Sequence, residues 1–575
     1  MYPLTNTSNY LLETVNIMHM GYISFKKFLS QKYAALLLLA LLLCYNASAQ
    51  FGFRDESERR IMGEVSKIGQ TLYNIDRFYL DTVNIPSVAE EVVKGIIAKL
   101  DPHSAYISAK DVQAMNEPLV GNFNGIGVEF ALINDTLTIQ ATVPGGPSEK
   151  VGIRAGDKII AVDGETVSGT NLTIERVHGY LRGERGSKVD VSVLRKGEPE
   201  LLDFIITRDK IPIHSVDASY EIEPGYIYVK LSRFSATSYQ EIMKAILSAE
   251  GERKGIVFDL RSNGGGYLLA ALQIANEFLG KGELILYTEG RNIQRMSEYA
   301  NGRGLLQDVP VAILIDENSA SASEIVSGAI QDWDRGVIIG RRSFGKGLVQ
   351  QQFNLPDGSQ LRLTVARYHT PSGRVIQSPY EQGKAEDYYK AFYERYAKGE
   401  TFSKDSIQFP DSLKYKTLRL GRTVYGGGGI MPDIFIAADT SHYTPFYGEV
   451  VRKGLLTDFV NSYVDNNRQQ LLRKYKSADD FEKSFDVTPK FYNEFLSFCK
   501  GKGVEPKEIT RKDSDGKEIV VAESEISGHE LKKYIKGFIM RNLFDFNSYM
   551  KFVNQDDAEI LKALEILKNG GQSLE

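Results

Sequence analysis

Cysteine is almost missing from this chain of 575 residues, which holds only Cys44 and Cys499. One of the two lies in an N-terminal apolar segment, so neither a disulfide framework nor a metal cluster is available, and stability must come from packed cores. There is no basic excess either. Net charge is −5, with acids and bases spread along the chain, which removes the electrostatic footprint that nucleic-acid binding requires. Long apolar runs are equally scarce. Ala34 to Leu43 is about half of what spans a bilayer, and no second segment is longer. His103, His178, His214, His369, His442 and His529 form no H-E-x-x-H, and no G-x-S-x-G elbow occurs. Metal-dependent and histidine-based hydrolysis therefore find no motif, and no cofactor is expected.

What is present begins with an export signal. Lys26, Lys27 and Lys32 precede the apolar run, and Asn46-Ala47-Ser48-Ala49 follows it. A basic region, a short apolar run and an A-x-A site make a secretory signal, with cleavage expected after Ala49. Met18 or Met20 would give that signal a more usual length than Met1. Cys44 raises a lipoprotein signal as the alternative, but Leu43 is not the small residue such signals place before the cysteine. The mature protein is expected in the periplasm or another extracytoplasmic space.

The length implies roughly three or four domains. Residues 50–118 read as a helical region. Ile61, Val65, Ile68 and Leu72 fall on one helix face, and a second helix, Val88 to Leu100, stops at Asp101-Pro102. Residues 119–209 change to short strands and glycine turns with one small helix, Leu172 to Arg182. Residues 210–438 repeat strand, loop and helix: Gly255 to Leu260 precedes one helix, and Val311 to Ile315 precedes another, which indicates an α/β core. The charged, tyrosine-rich stretch from Glu381 to Lys414 reads as a surface insertion. Residues 439–575 read as a mostly helical C-terminal extension, with a hairpin-like stretch near Asp513 to Lys517.

Two segments carry the chemistry. Ser319-Ala320-Ser321-Ala322-Ser323-Glu324 lies between a buried strand and a helix, where a sharp turn projects a side chain and leaves backbone N–H groups free. Ser321 and Glu324 also fit a capping box, so this segment alone leaves capping open. Ser343-Phe344-Gly345-Lys346-Gly347 sets a lysine between glycines at the end of an apolar run. A lysine held there loses its proton more readily than one in water, and the neutral amine can take a proton from a serine hydroxyl. A solvated lysine on a turn is the plainer alternative.

Together with Gln331-Asp332 and Val349-Gln350, these segments resemble the C-terminal processing (tail-specific) peptidases of family S41. The resemblance implies Ser321 as nucleophile, Lys346 as base and Gln350 as the residue that orients Lys346, although Gln350 read alone fits an exposed strand. Ala322 and the loop Asp259 to Gly266 supply candidate oxyanion donors, the second from Gly264 or Gly265. That loop read alone is a tight strand-to-helix turn, and no Lys-Ser/Thr follows to make it a phosphate loop. Asp332, a helix length away, reads as structural, as do His103 and His178. Phe123-Asn124-Gly125-Ile126-Gly127-Val128 and the stretch from Pro147 to Gly164 resemble a PDZ domain. The resemblance implies that Phe123, Gly125, Ile126, Gly127 and Val128 meet a substrate C-terminus.

The expected architecture is therefore α/β multidomain: an N-terminal helical segment, a β-rich PDZ domain with small helices, an α/β protease core and a helical C-terminal extension. Partners implied are proteins or peptides with accessible C-termini. Homo-oligomer or adaptor contacts through the terminal helical regions are left open. The rival reading is an exported PDZ scaffold or chaperone whose protease-like core binds without cutting.

Overall fold

The computed structural model describes residues 56–512 and 517–570; the expected signal at 1–49, with Cys44 and the cleavage site before Gln50, lies outside them. The chain divides into two compact units, residues 1–93 and 94–575. In the first, the helix Glu56–Phe78 carries Ile61, Val65 and Ile68 along one exposed face.

The second unit is organised by a six-stranded sheet. Val216–Glu223 pairs antiparallel with Tyr226–Leu231, and Gly255–Asp259, Val311–Ile315, Val337–Gly340 and Ile434–Phe435 continue it in parallel. Its central strands read as unbroken apolar runs because both faces are covered. Ile256, Phe258, Ile313, Ile315 and Ile338 face the helices Ser238–Leu247, Leu268–Phe278 and Ala322–Asp332. Val257, Ala312, Leu314, Val337 and Ile339 face the other way, as strand alternation requires.

The cover on that second face corrects the expected domain boundary at residue 438. The helix Ala558–Lys568 lies there, with Ile560, Ala563, Ile566 and Leu567 fully buried against the sheet. This last helix belongs to the α/β core rather than to an extension. Residues 445–553 form a separate helical cluster around Phe481, Phe495, Leu531 and Ile535. Cys499 is buried in that cluster, and burial pushes its thiol up to about 12. The hairpin-like stretch is flanked by the antiparallel strands Glu508–Lys512 and Glu518–Ala522, while residues 513–516 lie outside the described residues.

The expected PDZ region is a sheet with Val128–Ile133 at its edge, facing the helix Ile174–Leu181. His178 on that helix meets Phe130 edge to face, with ring centroids 6.2 Å apart. The chain enters and leaves this region through a strand pair, Asn122–Gly125 against Asp209–Pro212. A second tie comes from the helical cluster. Asp465, on the helix Leu455–Lys474, pairs with Lys158 at 2.9 Å, and Lys196 donates to the carbonyl of Asn466.

One expectation for this region is overturned. The Ile126 side chain is 1% exposed and belongs to the PDZ core, not to the groove. Phe123 is covered by the Arg182 guanidinium, 4.5 Å from its ring centroid. Ile126→Asp is accordingly expected to unfold the PDZ region by burying a charge, rather than to probe peptide binding. Calorimetry should show a lost or strongly lowered melting transition.

Candidate active site

Ser321 stands at the junction of the strand Val311–Ile315 and the helix Ala322–Asp332, with φ 56° and ψ −111°. A positive φ is uncommon for a residue with a side chain and is held here by the surrounding contacts. It turns Ser321 into a cleft of about 810 Å³ that also receives Gly264, Gly265, Lys346, Gln350 and Arg362. The Ala322 N–H, first in its helix, has no acceptor within that helix. The structure thus brings the sequence-derived candidates together in one cleft.

The glycine loop reaches the Ser321 turn only because it lacks side chains. A Cβ at Gly265, where φ is +97°, would lie 2.8 Å from the Ser321 Cβ and 2.9 Å from the Ala322 nitrogen. Of the two candidate donors, however, Gly265 is already committed. Its N–H donates to Asn263 Oδ1 at 2.9 Å, which corrects its expected oxyanion role and leaves the Gly264 N–H.

Lys346 is largely buried, and its Nζ donates to Gln350 Oε1 at 3.1 Å. Gln350 is fixed in turn, since its Nε2 donates to the His103 carbonyl at 2.6 Å. Burial, then the charge of Arg362, hold Lys346 below the ordinary lysine value. His103 is packed edge to face against Tyr388, and burial and the nearby Lys346 lower it to about 4. No hydrogen bond links Lys346 Nζ to the Ser321 hydroxyl; such bonds are often long in unliganded sites and tighten when substrate is bound.

Sequence reasoning missed what holds these groups in place. Glu324 is completely buried, and its carboxylate accepts four hydrogen bonds: from the N–H groups of Ser321, Gly345 and Lys346, and from Ser343 Oγ. Burial raises its pKa, while these donors favour its ionised form. The S-x-x-E spacing signalled the bond back to Ser321, but nothing local signalled the other three. Tyr368 adds a second clamp, its phenol donating to the carbonyls of both Ser321 and Lys346. Glu324→Ala is expected to remove both stability and turnover, since each orphaned buried donor costs about 1–3 kcal/mol. Urea unfolding and peptide hydrolysis measured on the same preparation check this.

The stretch Glu381 to Lys414 is also more than a surface insertion. Its helix Ala385–Ala397 buries Tyr388 and sends Arg395 to the carbonyls of Arg342 and Ser343 at 2.9 Å, which braces the loop leading to Lys346. Asp332 lies away from the cleft and forms a fully buried ion pair with Arg374 at 2.8 Å. It is the last residue of its helix, and the ion pair gives it a structural place in the core.

With that geometry in view, residues 225–388 match peptidase family S41, residues 138–195 match the PDZ domain, and residues 446–545 match a family of unknown function. A carboxy-terminal-processing protease of Bartonella bacilliformis is 34% identical over 327 residues, covering 56% of this chain and 74% of its own. The carboxy-terminal processing protease CtpB of Bacillus subtilis is 31% identical over 370 residues, covering 62% and 75%. Among solved structures, the photosystem II D1 C-terminal processing protease is 29% identical, with a TM-score of 0.30 over 54% of this chain and 89% of its own.

Proposed function

This chain belongs to the carboxy-terminal processing proteases of peptidase family S41, and we propose that it is an exported serine endopeptidase that cuts proteins near their C-termini through a Ser321–Lys346 acyl-enzyme mechanism. The observation that carries this reading is the seating of Lys346. A buried amine, aimed by Gln350 and sharing a cleft with Ser321, is equipped to act as a base and not as a surface charge.

Neutral Lys346 takes the Ser321 proton as Oγ attacks the scissile carbonyl. The Ala322 and Gly264 N–H groups hold the oxyanion, and Glu324 and Tyr368 keep the serine turn and the lysine loop in register. Lys346 then protonates the leaving amine, and water resolves the acyl-enzyme. Before the cut, a substrate C-terminus adds as a strand to the PDZ edge at Val128–Ile133. The basic, apolar and A-x-A succession before Gln50 supports export to the periplasm. Mass spectrometry finding Gln50 as the mature N-terminus would agree with this, and a diacylated Cys44 would move the protein to a membrane surface.

The decisive comparison is an unfolded protein with an apolar C-terminus, incubated with wild type and with Ser321→Ala. Product from wild type alone is expected. No product at any pH would favour the non-cutting scaffold. The pH profile provides a further check. Only the neutral amine accepts a proton, so kcat/KM should rise with pH through the lowered lysine pKa and fall on acidification. A profile flat across the acid range would remove Lys346 as the base.

A further inference from the structure

The cleft holds a second cation that the mechanism does not use. Arg362 lies on the strand Gln360–His369, opposite Gln352 on one neighbouring strand and the small Ala105 on the other. Strand alternation places Arg362 on the same face as Thr364, and Thr364 is the direct partner of Gln350, which holds Lys346. Arg362 therefore sits one pleat along from the lysine's anchor, about 7 Å further down the strand. Among the described residues its Nη2 is buried without a hydrogen-bond partner.

The carboxylates nearby cannot serve it. Glu324 already accepts four hydrogen bonds. Asp101 accepts from the N–H groups of His103 and Ser104 and from the hydroxyls of Ser104 and Thr364. A buried guanidinium nitrogen with no acceptor is costly, and the fork of Arg suits a carboxylate better than any neutral group. The direction of the chemistry then says which part of a substrate brings one. Lys346 must hand its proton to the leaving amine, so the departing segment lies on the lysine's side of Ser321, towards Arg362. Leu119, Tyr267, Leu268 and Ile325, which also line the cleft and lie outside the strands that carry Gln350 and Arg362, are apolar and suit the acyl half.

We propose that Arg362 is a carboxylate-binding subsite for the departing segment of the substrate, filled by its free C-terminus or by an acidic side chain about three residues beyond the scissile bond. This rests on the peptidase reading above and adds a specificity element to it. A chain end held there fixes how far from the terminus the cut falls.

The test uses three versions of one peptide with a short departing segment: a free C-terminal acid, the C-terminal amide, and the amide carrying a glutamate in that segment. Cleavage is measured with wild type, Arg362→Gln and Arg362→Lys. Affinity is measured on full-length Ser321→Ala with and without Arg362→Gln, which reads the subsite whether or not the bond is cut. The PDZ region's own preference for a carboxylate enters every acid-to-amide ratio equally and cancels when the wild-type ratio is divided by that of Arg362→Gln. Wild type is expected to favour the acid over the amide in kcat/KM by about 10- to 100-fold, the worth of one charge-assisted hydrogen bond. Arg362→Gln should lose that ratio and Arg362→Lys should keep part of it. Recovery by the glutamate-bearing amide identifies a side chain as an accepted source, and no recovery restricts the subsite to the chain terminus. Equal handling of all three peptides by wild type, or an unchanged ratio and unchanged affinities in Arg362→Gln, overturns the proposal. Absent cleavage with Arg362-dependent affinity would instead overturn the peptidase reading and leave the subsite standing.

Discussion

Lys346→Ala is expected to lower peptide hydrolysis by about 10²- to 10⁴-fold, the usual contribution of a positioned general base, while leaving the fold intact. The Lys346 amine makes a single hydrogen bond, to Gln350, so its loss removes little that holds the loop. The loop itself is held by its backbone, through Glu324 and Tyr368. Lys346→Arg should fail as fully as alanine, because a guanidinium stays charged at any useful pH and cannot accept the serine proton. Turnover by Lys346→Arg near the wild-type level, measured on a small peptide at several pH values, would sink the serine–lysine mechanism. Melting temperatures close to wild type would confirm that activity and not folding was lost.

Removing residues 557–570 is expected to abolish folding of the catalytic core, although this segment is far from Ser321 in sequence. Ile560, Leu564, Ile566 and Leu567 are all buried, and each contributes about 1.5–3 kcal/mol by leaving water. Their loss alone approaches the roughly 5–15 kcal/mol by which most domains are stable. The start of the helix adds an electrostatic penalty. Asp557 pairs with Arg261 at 2.8 Å, and Glu559 bridges Arg261 and Arg341. Arg261 also forks onto the fully buried Asp259, where burial opposes ionisation but Arg261 and Lys230 together hold the carboxyl well below its usual range. Deleting Asp557 and Glu559 leaves two largely buried guanidinium groups short of partners, a change that costs about 3–5 kcal/mol per broken buried pair. Circular dichroism and gel filtration of the shortened chain should find it unfolded or aggregated. A cooperative melt near that of the full chain would show that the sheet's second face does not need this cover.

The sequence carried the chemistry further than it carried the architecture. Ser321 and Lys346 stood out as candidates because local composition around each is unusual, with small residues around the serine and glycines on both sides of the lysine, whereas Gln350 was named only through the family resemblance. The parallel strands were legible because burial on both faces leaves an apolar run. Glu324 was legible only as a cap, since three of its four donors come from a loop about twenty positions later. Gly265 looked equivalent to Gly264 until the Asn263 side chain was seen to take its N–H. Ile126 was misread because an isoleucine beside glycines in a loop gives no periodic signal of which way it points. The helix Ala558–Lys568 has an ordinary amphipathic pattern, and no pattern says which surface an apolar face will meet.

That helix also sets when the enzyme can exist. Strands beginning at Val216 leave the synthesis machinery more than three hundred residues ahead of the segment that covers one of their faces. Contacts of such long sequence separation form slowly, because the intervening chain must be closed before they are rewarded. Until Ile560 to Leu567 arrive, the sheet keeps one apolar face open and Arg261, two residues before Asn263, lacks its partners on Asp557 and Glu559. A chain in which that segment has yet to dock therefore carries Ser321 and Lys346 on an unfinished sheet. Assembly of the sheet that carries the cleft is thereby tied to the docking of this one helix.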